Sequence, residues 1–355
     1  DISNWDTSKV ESMHGMFKTS KKVGGYFSGP SSFNGSIGNW NVSNVVDMSE
    51  MFLGATSFNQ DISSWDVSNV KNMDYMFSGA ISFNKDIGNW DVSNVTSMEN
   101  MFSNITSICI VPFVGTYEHN YADSTSFNQS IGSWNVSKVE IMNGMFSGAT
   151  SFNQDISNWD VSNVEHMNSM FSGATVFNQP IGTWNVSKAS GMRHMFKDSS
   201  SFNQDISKWN VSNVEYMCGM FSGATSFNQP IGNWNVSNVR SGENMFMGAI
   251  SFNQDLNGWN AGFRVKGMFY GATSFNSPIG KWNLSAVTDM ENMFREATSF
   301  NQDISGWDVS NVIQMKGLFQ DATSFNQDLR SWQLNKKLPK SRTMFAGATA
   351  FKIKE

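Results

Sequence analysis

The residues best placed to do chemistry stand one position after the tryptophans. They form a column of Asp6, Asn41, Asp66, Asp91, Asn135, Asp160, Asn185, Asn210, Asn235, Asn260, Asn283, Asp308 and Gln333. Carboxylates and amides in such a row suit sugar hydroxyls or a hard cation such as Ca²⁺, which takes oxygen ligands. Asp66 and Asp91 are its sequential acidic neighbours. The competing reading is structural: the amides hydrogen-bond along the stack, and Asn spares the row like-charge repulsion. The segment ICIVPFVGTYEHNYADST adds Phe113, Tyr117, His119 and Tyr121, and an earlier one adds Tyr26 and Phe27. Aromatic side chains on loops carried by a rigid scaffold make a recognition surface. Alternatively Ile108, Ile110, Val111 and Phe113 fold back over a core flank.

Catalytic arrangements are absent from the pattern. His14, His119, His166 and His194 do not cluster, and no His or Cys pair has metal-ligand spacing. No nucleophile elbow, phosphate-cradling glycine loop or metalloprotease motif occurs. Acidic pairs recur with the repeat itself, which removes their value as a glycosidase signal. We expect no enzyme, no resident cofactor and no metal site, with Ca²⁺ along the Asp columns as the exception to test.

These residues are positioned by a repeat. The tryptophans stand at 5, 40, 65, 90, 134, 159, 184, 209, 234, 259, 282, 307 and 332, usually 25 apart. The steps of 35, 44 and 23 that begin at Trp5, Trp90 and Trp259 locate two insertions, near 18–32 and 104–125, and a short repeat at 252–274. A fixed period in this range means stacked units that bury a common core. The sequence therefore predicts a single solenoid over 1–355 with about thirteen repeats.

Within one copy, FNQDISNWDVSNVEHMNSMFSGAT, the spacing of Ile156, Trp159 and Val161 predicts a short strand. Ser162 and Glu165 read as a capping box. Val164, Met167, Met170 and Phe171 then fall on one face of a short helix, which Gly173 ends. The fold class expected is an α/β repeat solenoid, a right-handed coil with a parallel strand ladder on one face and short helices or 3₁₀ segments on the other. Its inside is filled by Trp, Phe, Met, Ile and Val, and methionine closes gaps between large rings.

A second column, from Asn34, Asn59 and Asn84 to Asn326, follows a buried Phe. It reads as amides that satisfy backbone groups at a bend. A third alternates Asp155, Asp205, Asp255 and Asp303 with Pro180, Pro230 and Pro278, which spaces its charges. Triplets such as Asn41-Val-Ser43, Asn94-Val-Thr96 and Asn185-Val-Ser187 follow from the repeat wording and argue little for glycosylation.

Only 15% of residues are charged, against about 25% ordinarily, and the net charge is -6. No basic cluster matches a row of phosphates, which disfavours nucleic acid. No run of about 18 apolar residues predicts a membrane span. Two cysteines, Cys109 and Cys218, make no disulfide framework and leave the compartment open. The chain starts at Asp1 inside a repeat, which reads as a fragment or processed chain, with any leader or anchor outside it.

The string FNQDISNWDVSNVEHMNSMFSGAT, with its recurrent M-F-s-G-A-T-S-F-N-Q, resembles the 25-residue repeat of the BspA-like leucine-rich-repeat surface proteins, including the mycoplasma lipoprotein type. The resemblance implies a leucine-rich-repeat-like solenoid at or outside the cell surface, with a role in adhesion, and no catalytic residues. The expected partners are a protein or glycan on another cell or matrix, met through the strand face and edge loops. The alternative is a structural spacer or a self-assembling subunit that binds copies of itself.

Overall fold

The computed structural model describes residues 2–19, 31–104, 125–338 and 343–352, together with the backbones of two short strands, Lys22–Val23 (β1) and Tyr26–Phe27 (β2). These strands form an antiparallel hairpin in the first insertion, with Lys22 opposite Phe27. The chain divides into two compact units, Asp1–Gln179 and Pro180–Glu355.

Each unit is a stack of coils whose registration is parallel. In the N-terminal unit single parallel bridges link Ser12, Asp47, Asn72, Ser97, Ile141 and His166 in succession. In the C-terminal unit they link Gly191, Tyr216, Ser241 and Arg264, and separately Asp289 and Gln314. This column stands seven residues after the tryptophan in the regular coils, so the ladder lies later in the repeat than the Trp-Asp-Val expected to carry it. Around Trp159 the chain turns instead, with Trp159 N bonded to Ile156 O and Val164 N to Val161 O.

Among the described residues there is no α-helix. The capping box does not form: Glu165 N, which would have donated to Ser162, donates to Glu140 O of the preceding coil at 2.9 Å. Beyond it, backbone donors alternate between two directions. Gly144, Phe146 and Gly148 donate to Asn168, Met170 and Ser172 of the next coil, while Met145, Ser147 and Ala149 close three-residue turns on Met142, Gly144 and Phe146. A left-handed residue every fourth position imposes this alternation, as at Glu50 and Gly54, Tyr75 and Gly79, and Ser169 and Gly173. A helix cannot propagate through such residues. Every donor from Gly144 to Ala149 is thereby satisfied without a helix.

The core is built as ring columns. In the N-terminal unit Phe146 lies 4.0 Å from Phe152 within its coil and 5.7 Å from Phe171 of the next, with planes 7 to 8° apart. In the C-terminal unit Phe221 repeats this at 3.9 Å from Phe227 and 5.7 Å from Phe246. Tryptophans stack at 6.4 Å for Trp134 and Trp159 and 6.5 Å for Trp234 and Trp259. The separations between coils lie in the usual range for stacked rings, and the pairs within a coil are closer still. Indoles inside the stack also donate to the coil before them: Trp159 Nε1 to Ile131 O at 3.0 Å, Trp234 Nε1 to Ile206 O at 3.2 Å. The tryptophan is therefore a hydrogen-bonded rivet as well as a filler.

The alternation of D-I-S with P-I-G wording also has a steric cause. A Cβ on Gly182 would stand 2.1 Å from the carbonyl oxygen of Asp205 in the next coil, and one on Gly232 would stand 2.1 Å from that of Asp255. Only glycine lets those coils approach.

Candidate functional site

The exposed column after the tryptophans is occupied by local turns. Asp66 Oδ1 accepts from Ser68 N at 3.1 Å and Ser68 Oγ at 2.6 Å. Asp91, Asn135, Asp160, Asn185, Asn210 and Asn235 likewise accept from the backbone N–H of Ser93, Ser137, Ser162, Ser187, Ser212 and Ser237. Hydrogen bonds from these serines hold the Asp91 and Asp160 carboxyls below the usual carboxylate range. The stacking amides belong to other columns. Asn69 and Asn94 donate to Ser43 O and Ser68 O of the coils before them, and Asn213 and Asn238 to Ser187 O and Ser212 O. The Asn column after the phenylalanines does what its position suggests: Asn153 Oδ1 accepts Asn178 N at 2.9 Å, and Gln179 Nε2 joins it at 3.0 Å. Tyr26 stands in β2 with its backbone opposite Val23. Phe113, Tyr117, His119 and Tyr121 lie outside the described residues.

What the coils do not repeat is concentrated elsewhere, around the parallel bridges. Six residues after the tryptophan the N-terminal unit carries Glu11, Val46, Lys71, Thr96, Glu140 and Glu165; nine after it, His14, Ser49, Asp74, Glu99, Asn143 and Asn168. The corresponding C-terminal residues include Glu215, Arg240 and Thr288, then Arg193, Cys218, Glu243, Lys266 and Glu291. The buried and turn-forming positions meanwhile stay nearly constant. A search for polar columns favours the constant residues; comparing copies for variation points to this bridge-bearing face.

In the N-terminal unit the face is acidic and partly buried. Asp74 Oδ1 accepts from Ser97 Oγ and from Glu99 N, and the Tyr75 hydroxyl donates to Glu99 Oε1 at 3.1 Å. Burial pushes the Asp74 carboxyl up, and Asp47 adds to the shift while the two hydrogen bonds oppose it. Burial also raises Glu99, with Tyr75 and His166 acting downward and Asp74 upward. At one end His14 Nδ1 meets Ser49 Oγ at 2.7 Å.

In the C-terminal unit the face is one of paired opposites. Lys266 Nζ lies 2.7 Å from Glu291 Oε2, and Arg240 Nε 3.3 Å from Glu215 Oε2. The Arg193 guanidinium sits 4.0 Å above the Tyr216 ring centroid. Cys218 Sγ lies 3.1 Å from Ser241 Oγ, and burial pushes its thiol up, away from the reactive thiolate.

The short repeat opens a cleft of about 380 Å³ in this unit. Its cause is legible coil by coil. The missing residues are the Ser-Asn pair between the two valines, so no amide bridges back to the preceding coil there, and Ala286 holds the amide position in the coil that follows. Phe263, 5% exposed, fills part of the deficit. Its ring lies where a side chain on Gly242 would go, 2.6 Å from a Cβ built there. Gly242 replaces the methionine found eight residues after the tryptophan in Met48, Met167 and Met217. The gap in that column of methionines was the available sequence signal.

The family model described as "Mycoplasma protein of unknown function, DUF285" matches residues 1–110, 111–201, 180–266 and 263–354. The chain belongs to that family. DUF285 membership and the stacked coils agree on a repeat solenoid. No curated protein matches the chain. Among solved structures, a leucine-rich repeat protein from Bacteroides ovatus is 13% identical, with a TM-score of 0.41 over 91% of this chain and 86% of that one. A chain of the TLR13-ssRNA13 complex is 10% identical, with a TM-score of 0.26 over 88% of this chain and 45% of that one.

Among the described residues no group of three or more His, Cys, Asp or Glu is arranged to hold a metal ion, and no helix is long and apolar enough to cross a membrane.

Proposed function

We propose that this member of the DUF285 family is a non-catalytic repeat protein of the cell surface or exterior that binds a protein or glycan partner through its bridge-bearing face. The finer fold reading goes with it: a leucine-rich-repeat-like right-handed coil with the parallel bridges on the recognition side. One observation carries the proposal. Residues that differ from coil to coil, such as Asp74, Glu99, Arg193 and Lys266, gather on that face, while the positions that bury rings or close turns hardly change. A spacer has no need to vary one face selectively.

The test is binding of the purified chain to cell surfaces and to a glycan array, against variants Asp74→Ala with Glu99→Ala and Arg193→Ala with Lys266→Ala. Loss of binding in either double variant, with a wild-type circular dichroism spectrum, is the expected result. Unchanged binding in both would sink the assignment to this face. Concentration-dependent self-association in place of partner binding would instead favour the self-assembling subunit.

A further inference from the structure

We propose that the cleft at the short repeat is a binding site for a small zwitterion of the α-amino-acid type. The cleft shares Arg240, Glu243 and Thr288 with the variable bridge-bearing face, but the inference needs no protein or glycan partner and is tested without one.

The cleft is lined by Arg240, Glu243, Phe263, Arg264, Thr288 and Asp289, among others. Its lining carries both signs, Arg240 and Arg264 with Glu243 and Asp289, which suits a ligand that carries both. The charges are also held apart. No ion pair within 4.0 Å joins Arg264 to Glu243 or Asp289, although all three line one space. Lys266, the nearby competitor, makes its ion pair with Glu291 at 2.7 Å and acts on Glu243 and Asp289 only at longer range. Arg240 retains Glu215 at 3.3 Å, which leaves Arg264 as the cation without an ionic partner among the described residues.

The backbone opens at the same place. Elsewhere in this unit the ladder donor reaches the next coil, as Met217 N does to Ser241 O and Gly242 N to Arg264 O. Between Arg264 and Asp289 the parallel bridge is missing, and neither Val265 N nor Thr288 N has a described hydrogen bond. Thr288 lines the same cleft as Arg264, and its backbone N–H has no described hydrogen bond. A carboxylate satisfies both, because guanidinium and amide N–H are its natural charge-assisted donors. Glu243 and Asp289 receive the ammonium group. Phe263 supplies an apolar wall, a usual companion of a few polar anchors in a small-molecule site.

The experiment is isothermal titration calorimetry of the whole chain with L-leucine, with L-leucinamide, which lacks the carboxylate, and with N-acetyl-L-leucine, which lacks the ammonium. Leucine is expected to bind roughly tenfold or more tightly than either blocked form, the usual worth of one charge-assisted contact. Arg264→Gln, an exposed position, is expected to lower leucine affinity by a similar factor while the melting temperature is unchanged. Glu243→Gln is expected to reduce the preference for leucine over N-acetyl-L-leucine, and an unchanged preference would overturn the placing of the ammonium group at this carboxylate. The proposal is overturned if leucine gives no binding, if a blocked form binds equally well, or if folded Arg264→Gln binds leucine as the wild type does.

Discussion

The two units share one scaffold and spend their variable face differently. In the N-terminal unit the face gathers carboxylates that burial disfavours in the charged state, Asp74 and Glu99, with Asp47 against them. In the C-terminal unit acids and bases alternate in register, so that Glu215 meets Arg240 and Lys266 meets Glu291. Beneath both, ring separations agree to about 0.1 Å, as Phe146–Phe152 and Phe221–Phe227 show. The interior of such a coil tolerates almost no variation, and the bridge column tolerates a great deal. Surface chemistry can thus diverge between units without cost to the stack.

The largest effect tests whether the scaffold really is shared. Phe152→Ala and Phe227→Ala, both fully buried, are each expected to cost about 3 to 5 kcal/mol in urea denaturation. A clear inequality would break the equivalence. Next come the amide columns. Asn153→Ala and Asn228→Ala each strip an acceptor from a backbone N–H and a glutamine of the next coil. A loss of about 1 to 3 kcal/mol is expected in either unit.

Smaller effects should separate the units. A raised carboxyl pKa favours folding below the ordinary aspartate value and loses that contribution as pH rises through the raised value. Asp74→Asn is therefore expected to raise the melting temperature at pH 7, with the gain vanishing near pH 3. The exposed Asp column has the opposite sign. Asp91 and Asp160 are depressed by their serines, so their contribution is present at neutral pH and fades as pH falls through the depressed values. In the C-terminal unit Glu291→Gln breaks a partly exposed ion pair and is expected to cost no more than about 1 kcal/mol, less in high salt. The smallest expected effect is that of Ca²⁺: Asp66 already gives Oδ1 to Ser68, and Ca²⁺ asks for six to eight oxygens. Neither Ca²⁺ nor a chelator should move the melting temperature.

Much of the scaffold was legible because its constraint repeats. Trp159, Met167, Met170 and Phe171 announce burial through their return at a fixed interval, and Asn153 announces its bend for the same reason. The expected helix failed on information that residue types do not carry. Left-handed backbone at the tenth residue after the tryptophan is held by Glu50, Tyr75, Asn100 and Ser169 as well as by glycine, so no single letter marks it. Stacking overrides the intrinsic cost of that conformation, roughly 1 to 2 kcal/mol per residue. The strand was misplaced for a related reason. Trp-Asp-Val alternates as a strand would, yet indole-to-carbonyl bonds link the coils there, and the paired backbone begins later. The cleft needed a comparison between neighbouring copies, because Gly242 and Phe263 make sense only together.

That last pair sets a limit on how such a gene can change length. Slippage during replication that adds or removes one regular coil replaces every hydrogen-bond partner by an equivalent one, so copy number should drift freely across most of the chain. Between Gly242 and Phe263 it cannot. Losing the coil with Phe263 leaves a glycine where its neighbours need a methionine, and losing the coil with Gly242 drives the ring into one. The two coils should therefore be gained or lost only together, as one block in a sequence otherwise free to expand and contract.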